Sequence, residues 1–295
     1  MLLDGKKVRN EILDKIKQEV IDNNYNLTLA IILIGNDAPS RVYVNNKIKY
    51  CDYVGISTKL IELDESTSEQ EVIDIIEQLN KDKKITGMIL QSPVPKQINI
   101  ENCIKHISVE KDIDGFTKEN FYLLAHNEEG IRPCTAKGII RLLDYYNIDL
   151  KGKNVCIIGR GNLVGKPILF EMLNRDATVT ICHSKTKDII KYTKKADVII
   201  CGAGSPKILK KNMVKKNSIV VDAGITVIDN KVIGDADFNN LKNKCSYITP
   251  NPGGVGPMTI AIIIENIVNA YKKGGNENGR SIKKSIRKGT GETTE

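Results

Sequence analysis

Apolar positions along this chain follow two spacings that alternate from one end to the other. Val8, Ile12, Ile16 and Val20 recur every four residues, which puts one apolar stripe on a helix over 4–24, with Asp4 placed to cap it. Leu27 to Ile34 is instead an unbroken apolar run closed by Gly35, as in a strand buried on both faces of a parallel sheet. Helical character returns over 40–54 and strand character over 58–63. Ser68 with Glu71 three residues on forms a capping box, opening a helix that runs to Leu79. A third strand, 87–91, stops at Pro93 and Pro95. This alternation predicts parallel βαβ units with ligand groups at the C-terminal ends of the strands.

The same alternation starts again after a Gly/Pro/Thr-rich stretch near 130–138. A helix over 137–146 leads to a strand at 154–158, a glycine turn, a helix over 164–174 and a strand at 177–182. A short helix and strands near 197–201 and 218–222 follow, so the second series reads as a Rossmann-type NAD(P)-binding domain. After the Pro/Gly-rich loop 250–257, Met258 to Tyr271 form a helix whose run Ile260-Ala261-Ile262-Ile263-Ile264 predicts burial on most sides, back against the first domain.

The expected fold class is α/β, two βαβ domains with a substrate cleft between them. The first domain is 1–138, completed by the C-terminal helix 257–272, and the nucleotide domain is 139–250. Residues 273–295, glycine-rich and almost free of apolar side chains, are expected to be a disordered basic tail.

Composition narrows the function. A chain of 295 residues can bury two sizeable cores. The formal charge is +8, but the last 24 residues hold seven basic and three acidic side chains and so supply half of it. The mildly basic body suits an acidic small molecule, and no nucleic-acid partner is expected. A tail that touches RNA is the rival reading of that segment. Seven cysteines, none spaced C-x-x-C, argue against a disulfide framework and for a reduced, cytoplasmic compartment. His106, His126 and His183 are scattered, so no metal is expected. No apolar run approaches the ~20 residues that span a bilayer. The opening residues also lack the basic-then-apolar order of a signal peptide, so no membrane partner is expected.

Four segments carry candidate chemistry. Gly159-Arg160-Gly161-Asn162-Leu163-Val164-Gly165 lies between a strand and a helix, where glycines let the backbone approach a pyrophosphate at a helix N-terminus. The same spacing also suits a tight turn with no ligand. An NAD site usually carries an acidic residue about 20 positions on. Here the next strand ends Cys182-His183-Ser184-Lys185 without a carboxylate, and Arg160, Ser184 and Lys185 could receive a 2′-phosphate, which favours NADP over NAD. Tyr43 and Lys47 share a helix face, pairing an aromatic ring with an amine. This is also the YxxxK spacing of short-chain dehydrogenases, but there it follows the glycine turn, whereas here it precedes it by over a hundred residues. Gln91 projects an amide from a strand end. Lys111-Asp112-Ile113-Asp114-Gly115-Phe116 is a loop with two carboxylates, or simply a turn.

Taken in order, these segments resemble one family. YVNNK with Tyr43 and Lys47, GMILQSPVP with Gln91, KDIDGF, Pro133-Cys134-Thr135-Ala136-Lys137-Gly138, the glycine turn, CHSKT and ITPNPGGVGPMT all occur in the chain. Together they closely resemble the bifunctional methylenetetrahydrofolate dehydrogenase/methenyltetrahydrofolate cyclohydrolase family, from Leu3 to about Tyr271. The resemblance implies oxidation of 5,10-methylenetetrahydrofolate with NAD(P)+, then hydrolysis of the methenyl product to 10-formyltetrahydrofolate, with no metal. It implies Lys47 as the proton-handling group, Gln91 orienting it, Tyr43 stacking on the folate and Asp114 binding the pterin's N–H edge. Pro252, Gly253 and Gly254 would shape the folate pocket, while Gly159, Arg160, Gly161, Gly165, Ser184 and Ile225 would contact the cofactor. A homodimer pairing through the nucleotide domains is implied too. Gly161 stands where the family usually has serine, Ala136 where proline is frequent, and Asn251 where a small apolar residue is usual. The rival reading is a two-domain NADP-dependent dehydrogenase acting on a non-folate substrate.

Overall fold

A computed structural model describes residues 1–229 and 231–289, with side chains described as far as Gly274. α1 (Gly5–Asp22) opens where the Asp4 carboxylate accepts from Lys6 and Lys7 N–H. β1 (Thr28–Ile34) and α2 (Ala38–Val54), the latter capped by Asp37, follow. β2 (Ser57–Leu63), α3 (Glu69–Lys81) with its Ser68–Glu71 capping box, and β3 (Gly87–Leu90) complete a parallel sheet in the order β2-β1-β3. The central place of β1 explains its unbroken apolar run, while β2 at the edge carries only half-buried and exposed positions. α4 (Ile100–Ile104) and α5 (Lys118–Ala125) lead out of this half.

α6 (Cys134–Tyr145) crosses to the second half, starting three residues before the expected 137 with Pro133 at its cap. There follow β4 (Asn154–Ile158), α7 (Gly165–Leu173), β5 (Thr178–Cys182), α8 (Ile190–Thr193), β6 (Val198–Cys201) and β7 (Ile219–Asp222). A hairpin of β8 (Thr226–Ile228) and β9 (Lys231–Ile233), then α9 (Phe238–Leu241) and β10 (Tyr247–Ile248), complete it. The second sheet is parallel in the order β10-β7-β6-β4-β5. Strand order reverses between β4 and β6, the switch point at which open α/β sheets take their ligands.

α10 (Val255–Gly289) begins inside the Pro/Gly-rich loop, because Pro257 falls in its first turn, where a missing N–H is tolerated. Its Ile262, Ile263, Ile264, Ile267 and Val268 pack with Leu29, Ile31 and Leu33 of β1 and with Val44 and Cys51 of α2. Val255 and Met258, at its start, belong to the other core, with Leu3, Val8, α6 and β4. The expected disordered tail over 273–295 lies almost wholly outside the residues with described side chains. No described helix is long and apolar enough to cross a membrane.

Residues 1–3, expected in the first domain, join the second sheet instead. Leu3 N–H donates to Ile248 O (2.9 Å), and Ile248 N–H donates to Met1 O (3.1 Å). The N-terminal residues thus cover the open edge of β10, which would otherwise present unpaired backbone groups.

Candidate active site

Tyr43 and Lys47 lie one helical turn apart on α2. The Lys47 side chain is only 9% exposed and Gln91 8%. Lys47 Nζ donates to Gln91 Oε1 at 2.8 Å, and Gln91 Nε2 donates to Ser92 O at 2.6 Å. The second bond orients the amide, since its nitrogen is taken and its oxygen must face the lysine. β3 pairs directly with β1, and Gln91 N–H donates to Ile32 O, so the residue after one strand reaches the helix that follows the other. Tyr43 is half-buried, and burial holds its hydroxyl pKa above the ordinary value.

The two carboxylates of the KDIDGF loop have separate tasks. Asp112, buried, accepts from Gly115 N–H (2.9 Å), Thr117 N–H (2.7 Å) and Asn120 Nδ2 (3.0 Å), which closes the loop on itself. Asp114 is the one left for a ligand. Burial pushes its carboxyl above the usual range against the pull of the Lys47 ammonium, and the neighbouring Asp112 adds to the rise. The carbonyl of Ile113, just before Asp114, accepts from Asn266 Nδ2 on α10 (2.9 Å) and from the Cys134 thiol on α6 (3.3 Å). Burial raises the Cys134 pKa well above that of a free thiol, so this cysteine supports the loop and is no nucleophile. Asn266 and the structural role of Asp112 escape sequence reasoning. The one available signal was an asparagine between Ile264 and Val268 in a largely apolar stretch of helix.

On the nucleotide side, the glycines divide by what surrounds them. Gly159 has φ +116°, and a Cβ there would lie 2.3 Å from Gly202 O; at Gly165 it would lie 2.2 Å from Gly159 O. Around Gly161 nothing lies within 4 Å, so the serine usual in the family would fit. No side chain caps the N-terminus of α7; Lys166 N–H donates to Gly161 O at 3.0 Å and Pro167 has none, which leaves the Gly165 N–H for an anion. Ile158 pairs with Cys182, and Gly159 N–H donates to Cys182 O, so Arg160 and Ser184 emerge from adjacent strand ends. Both are exposed, as is Lys185. A turn built on close backbone approach, an uncapped helix start and flanking cations fits a phosphorylated dinucleotide. Asn162 Nδ2 also donates to Glu101 Oε1 on α4 at 2.6 Å, tying the turn to the first half.

Two further carboxylates, unremarked in the sequence, shape the loops after β6 and β7. Asp235 accepts from Ala203, Gly204 and Ser205 N–H, and Asp222 accepts from Gly224, Asp235 and Ala236 N–H. Burial pushes the Asp222 carboxyl up to about 6 against those three donors, with Asp235 adding to the rise. The loop they hold carries Ile225, which is 43% exposed. Gly253 has φ +116°, which favours glycine, and a Cβ on Gly254 would lie 2.6 Å from Thr249 Cβ and 2.7 Å from Pro250 O. Gly253 O accepts from Gly5 and Lys6 N–H at 3.0 and 3.2 Å, and a Cβ on Gly5 would lie 1.8 Å from Gly254 O. Among the described residues, no group of three or more His, Cys, Asp or Glu is placed to hold a metal ion.

A glycine turn at a strand-to-helix junction suits a dinucleotide, and a buried lysine held by an amide stands in the other half. That combination defines a two-domain NAD(P)-dependent dehydrogenase. Residues 3–114 match the tetrahydrofolate dehydrogenase/cyclohydrolase catalytic domain, and residues 133–274 match that family's NAD(P)-binding domain. The bifunctional protein FolD of Aquifex aeolicus is 44% identical over 280 residues, covering 92% of this chain and 96% of its own. The crystal structure of the bifunctional FolD dehydrogenase/cyclohydrolase from Campylobacter jejuni superposes with a TM-score of 0.90 at 42% identity, covering 92% of this chain and 99% of that one. The Trypanosoma brucei enzyme complexed with NADP and an inhibitor gives 0.89 at 28% identity, over 93% and 98% of the two chains. The chain belongs to the tetrahydrofolate dehydrogenase/cyclohydrolase family.

Proposed function

We propose that one site, centred on Lys47, carries out both reactions of the family: NADP-dependent oxidation of 5,10-methylenetetrahydrofolate and hydrolysis of the methenyl product to 10-formyltetrahydrofolate. Bound at the glycine turn, the nicotinamide supplies the hydride acceptor. The carbon that gives up the hydride lies between two nitrogens whose lone pairs stabilise the cation formed. The chain's own task in that step is therefore alignment, by Tyr43 against the folate ring and by the loops that carry Ile225 and Pro252.

Hydrolysis asks more of the side chains. Water adds to the methenyl carbon, the bond from that carbon to N5 breaks, and N10 keeps the formyl group. One proton of the adding water leaves to solvent; the Lys47 ammonium gives a proton to N5 as that bond breaks and regains one from the added hydroxyl, which becomes the formyl oxygen. Gln91 holds Nζ in line for both transfers. Asp114, a carboxylate short of donors in a buried loop, accepts the pterin amino and ring N–H groups, and those two hydrogen bonds bring its pKa back down.

The observation that carries this reading is the buried 2.8 Å contact between Lys47 and Gln91, with the Asp114 carboxylate beside it. Arg160, Ser184 and Lys185, with no carboxylate at the end of β5, support NADP over NAD, as does the NADP complex of the trypanosomal relative. The isoleucines of α10 packed on β1 and α2 support counting 257–272 with the folate domain. A cytoplasmic homodimer is the setting the family resemblance implies.

Replacing Lys47 with methionine tests the assignment. Hydrolysis of added methenyltetrahydrofolate should vanish while NADP binding, read by fluorescence titration, persists. Normal hydrolysis by the variant would remove Lys47 from the mechanism.

A further inference from the structure

We infer that Asn251 is a positioning residue that holds the nicotinamide-side loop in register with the folate-side turn, and so serves hydride transfer more than hydrolysis. The inference rests on the proposed function. Asn251 immediately precedes Pro252, and its Nδ2 donates to Gly224 O at 2.7 Å. Gly224 immediately precedes Ile225, so one amide joins the two loops that are to align the reacting carbon with the nicotinamide.

The surroundings are shaped to admit that amide. A Cβ on Gly234 would lie 2.5 Å from Asn251 Nδ2 and 2.0 Å from Asp222 Oδ2, so only glycine leaves room for both side chains. The small apolar residue usual at this position would leave the Gly224 carbonyl without this donor. The folate-side turn has an anchor of its own, since Gly253 O accepts from Gly5 and Lys6 N–H. With the amide gone, Gly224 N–H keeps its bond to Asp222 Oδ1 (3.0 Å), so it is the carbonyl side of that loop, next to Ile225, that loses its hold while the Pro252 turn stays anchored. Hydride transfer requires both ligands held to within about 0.5 Å, whereas hydrolysis needs only water, the folate and Lys47 oriented by Gln91.

The experiment compares wild type, Asn251→Val and Asn251→Asp. Valine lacks a donor, and aspartate keeps the shape of asparagine but donates nothing when ionised. Dehydrogenase kcat is measured with methylenetetrahydrofolate and NADP, cyclohydrolase kcat with added methenyltetrahydrofolate, and Tm by calorimetry. The ratio of dehydrogenase to cyclohydrolase kcat should fall about five- to tenfold in both variants, as expected for one lost hydrogen bond. An unchanged ratio overturns the inference. So does a parallel loss of both activities with a lowered Tm, which would make Asn251 a structural brace only. A wild-type protein that reduces no cofactor with methylenetetrahydrofolate would instead refute the proposed function.

Discussion

Replacing Gln91 with leucine separates the two reactions most sharply. Leucine fills nearly the same volume but presents no oxygen, so the Lys47 ammonium loses the acceptor it holds at 2.8 Å in a pocket where both side chains are over nine-tenths buried. A hydrogen bond to a charged group contributes roughly 1.5–3 kcal/mol. If that contact is what aims Nζ at water and N5, hydrolysis should slow roughly 10- to 150-fold, at 1.4 kcal/mol per decade. The oxidation step moves a hydride and no proton through Lys47, so cofactor reduction should stay within about threefold of wild type, well below that span. The assay follows methenyl absorbance and reduced cofactor separately, and the variant should accumulate the methenyl intermediate that the wild type clears. Hydrolysis at the wild-type rate would refute the orienting role, and an equal fall in both rates would show that Gln91 merely supports the fold.

Arg160→Ala combined with Ser184→Ala should lower kcat/KM for NADP at least tenfold while leaving that for NAD within about twofold, since charge-assisted phosphate contacts of roughly 1–3 kcal/mol are lost only with the phosphorylated cofactor. A wild-type enzyme that uses NAD as well as NADP would sink this idea. Asp222 predicts a pH dependence of stability. Its folded pKa, about 6, lies above the unfolded carboxylate value, so its contribution is complete below about pH 4 and is lost as pH rises through 6. Measured by urea denaturation, the stability of wild type relative to Asp222→Asn should therefore decline between pH 4 and pH 7, by roughly 2 kcal/mol. A pH-independent difference would refute it.

What could be read from the sequence was whatever depends on neighbours along the chain. β1, α2, β2, α3, β4, α7 and β5 appear within a few residues of expectation, because periodicity and capping act over one or two turns. The choice of Asp114 over Asp112 came from the family resemblance. Its physical reason appears only when Gly115, Thr117 and Asn120 close around Asp112. Asn266 lies 153 positions from the carbonyl it holds, a distance no local pattern spans. Asp235 likewise acts 30 to 32 positions back along the chain, on Ala203, Gly204 and Ser205. The β8–β9 hairpin and α5 were missed because their runs are short and only half apolar. Gly5 gave no local sign that its missing side chain makes room for Gly254 O.

The places of the two chain ends also bear on how the protein is made. The strand edge that receives Leu3 is laid down at Ile248, and the α10 isoleucines that cover β1 and α2 come later still. During synthesis residues 1–3 therefore wait for β10, and the apolar floor formed by β1 and α2 waits for the isoleucines of α10. Neither half completes its packing before the segments that follow Ile248 are made, and the docking of α10 is the step that covers the first half.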